Sequence, residues 1–479
     1  MKLTGRTREI TVLQSALASK RPELVAVIGR RRVGKTFLVR SVYAKDIVFE
    51  ITGLQKGGKK EQLQNFILAL KYAGLTEDME RPDNWLDAFF ELTRLIDRRQ
   101  YSKKVVLFFD ELPWLATRRS GFLQGFSFFW NSWASQRNVV VVICGSAASW
   151  MIKKVINDRG GLHNRITRLI QLKPFNLREM ELFLYNKGVQ YPHYQMLQLY
   201  MALGGIPMYL ELIQSGISPI ENINRLCFES SGYLRNEFQN LYAALFENHE
   251  AHTLIVRALA GKRKGLTREE LLRITKLPNG GTFSTVLEEL TQSGFIGQYG
   301  AYGKKKKKLI YRLEDQYSLF YLAFVEKALN NPTADFGQMA QSQAFLSWSG
   351  YCFENICLAH LPQIKQALGI SGVQTNIHTF YARPDDELPG AQIDLLIERA
   401  DKCTHLCEIK FSNSPYVLKK PEANKLRMRE TVFRHHTGYR FHLFTTLITT
   451  FGIVDNNQSR ALVDQSIDME ALFRDVPRQ

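Results

Sequence analysis

The sequence predicts an α/β protein of several domains. A front region of mostly parallel sheet with helices on both faces should lead into a helical segment, a helix-turn-helix with a hairpin, and a second α/β domain. Three observations predict this. The β-branched run ELVAVI passes into a glycine-bounded loop and then a helical pattern, the order of a strand–loop–helix unit. The runs VVLFFDE and VVVVICGS are apolar throughout, as strands buried on both faces must be, and end in acids and in a serine. Beyond Leu313 the pattern returns to a long helix followed by three short runs, TNIHTFYAR, AQIDLLIER and THLCEIKFS.

At 479 residues the chain exceeds one ordinary core, which favours two to four domains. Its 45% hydrophobic and 23% charged residues describe a globular chain and exclude a disordered one. The net charge of +17 favours a polyanionic partner, nucleic acid or an acidic surface. The opening MKLTGRTREI lacks the apolar core of a signal peptide, and no run is long enough to cross a bilayer. Six cysteines at irregular spacing read as reduced thiols, so a cytoplasmic protein without membrane contact is expected. Cys403, His405 and Cys407 alternate along one run and share a strand face. Pairs two apart on one strand are poor tetrahedral zinc geometry, so they read as buried small side chains under a covering helix.

The loop after the first strand, Gly29, Arg30, Arg31, Arg32, Val33, Gly34, Lys35 and Thr36, fits G-x-x-x-x-G-K-T in full. Its glycines let backbone N–H groups wrap phosphates, and the following helix adds positive potential at its N-terminus. Lys35 is placed to reach the β- and γ-phosphates of ATP, and the Thr36 hydroxyl to bind Mg²⁺. Asp110, at the end of the second apolar run, supplies a Mg²⁺ ligand, and Glu111 orients the attacking water. The alternative is an acid pair capping the next helix. Ser146 ends the third run where a γ-phosphate sensor belongs; a helix cap is the other reading. Arg165, with Arg168 beside it, offers the cation that phosphoryl transfer needs, in trans if copies form a ring. In LGGIPMYL, Pro207 marks a helix break.

Together GRTREI, the glycine loop, FFDEL, CGSAAS, RLIQLKPF and GGIPMYL resemble the archaeal-type ATPase family, a branch of AAA+/STAND-like P-loop ATPases. The resemblance covers about half the chain and implies a P-loop NTPase core with a helical lid. It also implies that Gly5, Arg6 and Pro207 border the nucleotide. One departure is the aromatic insert GFLQGFSFFWNSW, whose Phe122, Phe126, Phe129, Trp130 and Trp133 fall near helical spacing and read as packing.

In the middle, Leu266, Leu271, Leu272 and Ile274 mark a first amphipathic helix, and Pro278 to Gly281 a turn. Thr282 to Gln292 form a second helix ended by Gly294. The order resembles a winged helix-turn-helix, with Thr282, Ser284 and Thr285 at the start of its recognition helix and Lys304 to Lys308 on its wing. Five lysines on a strand suit phosphate contact better than base readout. The alternative is a winged helix used for protein contacts alone.

At the end, a helix carrying Glu354 precedes Asp394 and the Glu408-Ile409-Lys410 triplet in αβββαβ order. This resembles the PD-(D/E)XK, restriction-endonuclease-like fold, which often closes chains of the ATPase family named above. In that reading Glu354, Asp394 and Glu408 hold Mg²⁺ or Mn²⁺, and Lys410 orients a nucleophilic water. Gln392 departs from the acid that many relatives carry there. The rival is a structural salt bridge between Asp394 and Lys410. The expected domains are an ATPase core over 1–174, a helical lid over 175–245, and a winged helix over 246–315. A helical linker over 316–345 and the nuclease-like domain over 346–479 complete the chain. The expected function is ATP hydrolysis coupled to nucleic-acid binding, DNA rather than RNA, with metal-dependent cleavage at the C-terminus. The alternative is a regulatory ATPase with an inactive nuclease fold, and a homo-oligomer follows if an arginine acts in trans.

Overall fold

The structure, a computed structural model, describes residues 3–75, 82–117, 119–157, 160–246, 248–262, 264–300, 302, 309–331 and 334–476. The chain folds as two compact units, Met1–Pro174 with Gln292–Gly294, and Phe175–Thr291 with Phe295–Gln479.

The first unit is built on five parallel strands: β1 (Glu23–Ile28), β2 (Ile47–Thr52), β3 (Val105–Asp110), β4 (Val139–Gly145) and β5 (Arg168–Gln171). Their order is β2-β3-β4-β1-β5. β1, β3 and β4 are buried along their whole length, as their unbroken apolar sequences require. Ile28 pairs with Gly145 and Phe109 with Ile143, so the glycine loop, the two acids and Ser146 all leave the sheet at its carboxyl edge. Parallel α/β sheets bind ligands at that edge. The aromatic insert forms the helix Phe122–Ser132, packed on the helix Trp85–Arg99. Phe89 stacks on Phe129 at 5.0 Å and Trp85 meets Phe122 edge-on at 4.7 Å. Gly125 permits this approach, since a Cβ there would lie 2.8 Å from the Trp85 Cβ.

The second unit opens with helices set by local capping chemistry. Asn176 and Glu179 form a capping box ahead of Leu177–Asn186, as do Ser218 and Glu221 ahead of Pro219–Cys227, with Pro219 in the first turn. A three-stranded antiparallel sheet follows, β6 (Leu266–Thr267), β7 (Ile296–Gly300) and β8 (Leu309–Leu313), in the order β6-β8-β7. Between β6 and β7 lie the helices Arg268–Thr275 and Gly281–Gln292. Leu266 therefore belongs to a strand and not to the first helix, because Thr267 caps that helix through a box with Glu270. Ile274 is exposed; eight residues give only a narrow buried stripe, which Leu271 fills. Thr282 and Ser284 are exposed at the start of the second helix. The lysines Lys304 to Lys308 lie outside the described residues.

The long helix Gln343–Ala359 precedes the last sheet: β9 (Thr375–Ala382), β10 (Ala391–Arg399), β11 (Cys403–Lys410), β12 (His442–Thr449) and β13 (Gln465–Ile467). Its order is β13-β12-β11-β10-β9, antiparallel from β9 to β11 and parallel from β11 to β13. The crossover from β11 to β12 is the helix Lys420–Thr437, whose Val432 and Phe433 close a core with Leu396 and Leu406. His405 and Cys407 are buried and Cys403 half-buried; His405 shares a hydrogen bond with the Thr446 hydroxyl at 3.0 Å and stacks on Phe444. All six cysteines are free, and among the described residues no helix is long and apolar enough to cross a membrane.

Candidate functional site

Two carboxylate sites stand out, one in each unit. In the first unit the loop from Gly29 to Thr36 turns at positive φ at Gly29, Arg32 and Gly34. A Cβ at Gly29 would lie 2.3 Å from the Leu172 carbonyl oxygen, so only glycine fits between the loop and the chain beyond β5. At Gly34 the opposite holds: nothing lies within 4 Å of a Cβ, leaving open space over the loop at the head of the helix Lys35–Val42. Arg6, itself buried and left-handed, donates to the Val33 carbonyl at 3.3 Å and ties the N-terminus to the loop; Gly5 precedes it at positive φ.

Lys35 is buried and donates to the carbonyls of Gly29 and Arg30 at 2.9 and 3.1 Å. Burial pulls its pKa down, opposed by the charges of Glu111 and Asp110. The Thr36 hydroxyl donates to Asp110 Oδ2 at 2.7 Å. Burial, helped by Glu111, pushes the Asp110 carboxyl up, and the Thr36 hydroxyl opposes it. Glu111 sits in left-handed backbone, φ 46, which costs an L-residue roughly 1–2 kcal/mol. There its carboxylate accepts from the Ser146 amide at 3.1 Å and hydroxyl at 2.8 Å. Lys35, Thr36, Asp110, Glu111 and Ser146 thus converge. The donor set fits a magnesium nucleotide: N–H groups and a buried ammonium for phosphates, a hydroxyl and a carboxylate for a hard cation.

Two predicted residues remain, Arg165 and Pro207. Arg165 is exposed in the turn before β5. Val25 pairs with Arg168, so that turn is at the amino edge of the sheet, opposite the glycine loop. Arg165 therefore stands away from the glycine loop of its own chain. Pro207 belongs to the second unit, where it opens the helix Pro207–Glu211. One residue was not foreseen. Gly53, after β2, donates to the Asp110 carbonyl at 3.0 Å, and a Cβ there would meet the Glu111 carbonyl oxygen at 2.7 Å. A lone glycine after a strand gives no motif to find it by.

In the second unit, Leu395 pairs with Cys407 and Leu396 with Leu406. Continuing that register brings Asp394 beside Glu408, and Asp394 Oδ2 accepts from the Ile409 amide at 3.2 Å. Burial, then the charges of Glu408 and Glu354, push the Asp394 carboxyl up to about 8. Lys410 does not pair with Asp394. Its ion pair is with Glu408 at 2.5 Å, because alternation along one strand sets residues 408 and 410 on the same face. Burial works against the Lys410 ammonium, but Glu408 outweighs it and raises its pKa.

Two arginines that the motif did not indicate complete the cluster. Arg312, buried in β8, pairs with Glu354 at 3.1 Å, and Arg429, from the helix Lys420–Thr437, pairs with Glu408. Arg429 shares its helical stripe with Ala423, Leu426 and Phe433, a periodicity that could have revealed it. Thr449 pairs with Lys410 in the parallel register, and its fully buried hydroxyl has no hydrogen-bond partner among the described residues. Carboxylates and a hydroxyl suit a hard cation in kind. Their arrangement does not, since among the described residues no three His, Cys, Asp or Glu side chains are placed to hold one metal ion.

Residues 3–213 match the family described as "ATPase domain predominantly from Archaea". Over 415 residues the chain is 22% identical to the uncharacterized protein MJECL04 of Methanocaldococcus jannaschii, covering 85% of this chain and 87% of that one. Among solved structures, the Walker-type ATPase PABY2304 of Pyrococcus abyssi superposes with a TM-score of 0.50 at 19% identity, over 67% of this chain and 96% of that one. The ORC2 protein of Aeropyrum pernix gives 0.42 at 16% identity, over 71% and 96%.

Proposed function

Starting from residues 3–213 as a P-loop ATPase domain, we propose that the chain binds and hydrolyses ATP with Mg²⁺ and uses that cycle to act on nucleic acid, DNA rather than RNA. The contact of Thr36 with Asp110 at 2.7 Å, beside the buried Lys35, carries the ATP reading. In this reading the loop amides and Lys35 bind the phosphates. Thr36 and Asp110 hold the cation, which when bound offsets charge on the transferring phosphoryl group. Glu111 orients the attacking water, and Ser146 fixes the direction of its carboxylate. In this reading Arg165 acts in trans on the nucleotide of a neighbouring copy, which requires a homo-oligomer.

The nucleic-acid half of the reading rests on the net charge of +17, the exposed Thr282 and Ser284, and the helix–helix–hairpin order between β6 and β8. It takes residues 246–315 as a winged helix and the last sheet as a PD-(D/E)XK fold, with Glu354, Asp394, Glu408 and Lys410 as its site. The pairing of Glu354 and Glu408 with arginines and lysine favours a second reading, a regulatory ATPase whose C-terminal fold binds and does not cut.

Incubating the purified protein with plasmid DNA and with RNA, with Mg²⁺ and with or without ATP, separates the two. Cleavage that Asp394→Asn abolishes supports the nuclease; binding without cleavage supports the second reading. Replacing Lys304, Lys305, Lys306, Lys307 and Lys308 with serine should weaken DNA binding and flatten its salt dependence by about 0.9 in log–log slope per lost phosphate contact. An unchanged salt titration would count against nucleic-acid contact by that segment.

A further inference from the structure

Glu111 heads the four-residue helix Leu112–Leu115. A single turn has too few internal hydrogen bonds to hold its own position, so contacts from outside must fix it. The chain that follows β2 supplies them. Gly53 donates to the Asp110 carbonyl at 3.0 Å. It lies so close to the turn that a Cβ would stand 2.7 Å from the Glu111 carbonyl oxygen and 2.9 Å from the Leu115 amide nitrogen. Gln62, in the helix Lys59–Tyr72, is fully buried. Its Nε2 donates at 2.9 Å to the carbonyl of Trp114, in the last turn of the short helix, where carbonyls have no acceptor role to fill within the helix itself. The same nitrogen donates to the Leu54 carbonyl at 2.7 Å, and Oε1 accepts from the Leu54 amide at 3.1 Å. One side chain thus ties the loop after β2 to the helix that begins at Glu111.

We infer that Gln62 is a positioning residue for ATP hydrolysis, acting through Glu111. The left-handed backbone of Glu111, φ 46, persists only where the surroundings enforce it. Gln62 and Gly53 hold the turn from the side of β2, and Ser146 holds the Glu111 carboxylate from the side of β4. Without the bond to Trp114 the short helix loses an anchor, and the carboxylate at its head shifts against the water it orients. Lys35, Thr36 and Asp110 keep contacts of their own, through the carbonyls of Gly29 and Arg30 and the bond from Thr36 to Asp110. Hydrolysis should therefore suffer where nucleotide affinity does not. The inference rests on the reading of Glu111 as the group that orients water, and the test separates the two.

ATP affinity is measured by calorimetry and hydrolysis by single-turnover phosphate release, on the full chain with Mg²⁺. The parent, Gln62→Met, Glu111→Gln, the double variant and Gly53→Ala are compared. Gln62→Met fills the same space and cannot donate. It should bind ATP as the parent does and hydrolyse it about ten- to a hundredfold more slowly, the scale of a displacement of about 1 Å at a reacting centre. Added to Glu111→Gln it should slow hydrolysis no further, because a residue acting through Glu111 then has nothing left to position. Gly53→Ala presses on the same turn with Gln62 intact and should also slow hydrolysis, which secures the test should Gln62→Met fold poorly. Parental hydrolysis in Gln62→Met, or in Gly53→Ala where the first does not fold, would overturn the inference and leave Glu111 in its role. So would a loss of ATP affinity in Gln62→Met, or losses that multiply in the double variant, as a purely structural side chain would give. If Glu111→Gln hydrolyses ATP at the parental rate, the reading of Glu111 fails and the role of Gln62 with it.

Discussion

The two units hold their carboxylates in opposite ways. Asp110 and Glu111 are bonded to neutral partners, the hydroxyls of Thr36 and Ser146 and a backbone amide. Glu354 and Glu408 are bonded to arginine and lysine. A hydroxyl orients a carboxylate and leaves its charge in place, so the first site keeps its attraction for a cation. A guanidinium or ammonium cancels the charge, so the second site offers a divalent ion little. Burial is common to both and does not distinguish them; it pushes both Asp110 and Asp394 upward. The identity of the partner separates a prepared site from a closed one.

The largest expected effect tests the first half of the contrast. Lys35→Ala should abolish ATP binding, measured by calorimetry, because no other buried ammonium among the described residues lies in that loop. Glu111→Gln should bind ATP as the parent does and lose hydrolysis by about a hundredfold or more, the scale of removing a positioned group from the reacting centre. Hydrolysis at the parental rate would remove Glu111 from its role.

A smaller effect tests the second half. The Asp394 carboxyl is raised from 3.8 to about 8, so between roughly those values the folded chain keeps a proton that the unfolded chain has lost. Its contribution to stability therefore falls as pH rises through that window, and levels off above it. Asp394→Asn removes the loss. Thermal melts of the full chain should show the variant gaining steadily on the parent as pH rises from 5 to 8 and no further gain above that. A variant melting lower at pH 8.5 would mean that Asp394 is a stabilising partner after all.

The smallest effect sharpens the part played by hydroxyls. Ser146→Ala removes one of the two bonds to Glu111 and keeps the amide. Hydrolysis should fall by about tenfold at unchanged ATP affinity, the worth of one hydrogen bond to a charged group. Loss of binding instead would place Ser146 on the nucleotide and not on Glu111.

What the amino-acid sequence determined by itself is local. The glycine loop was legible because its parts are contiguous: Gly29 to Thr36 carry glycines, lysine and threonine at a spacing that only a strand–loop–helix can use. The acids after β3 and the serine after β4 were legible because an unbroken apolar run marks a buried strand and its end marks an edge of the sheet. Alternation likewise put Glu408 and Lys410 on one face. Tertiary structure alone decided which groups those faces meet. Strand order sent Arg165 to the far edge of the sheet, since a parallel strand begins where its neighbour begins. The pairing of β10 with β11 gave Asp394 a backbone amide in place of Lys410, and the packing of β8 and of the helix Lys420–Thr437 brought Arg312 and Arg429 to the carboxylates. Glu354 and Arg312 stand 42 residues apart, and Glu408 and Arg429 21 apart. Periodicity can say that such residues face inward, but which charge they meet there depends on how separate elements pack, and that depends on the whole core at once.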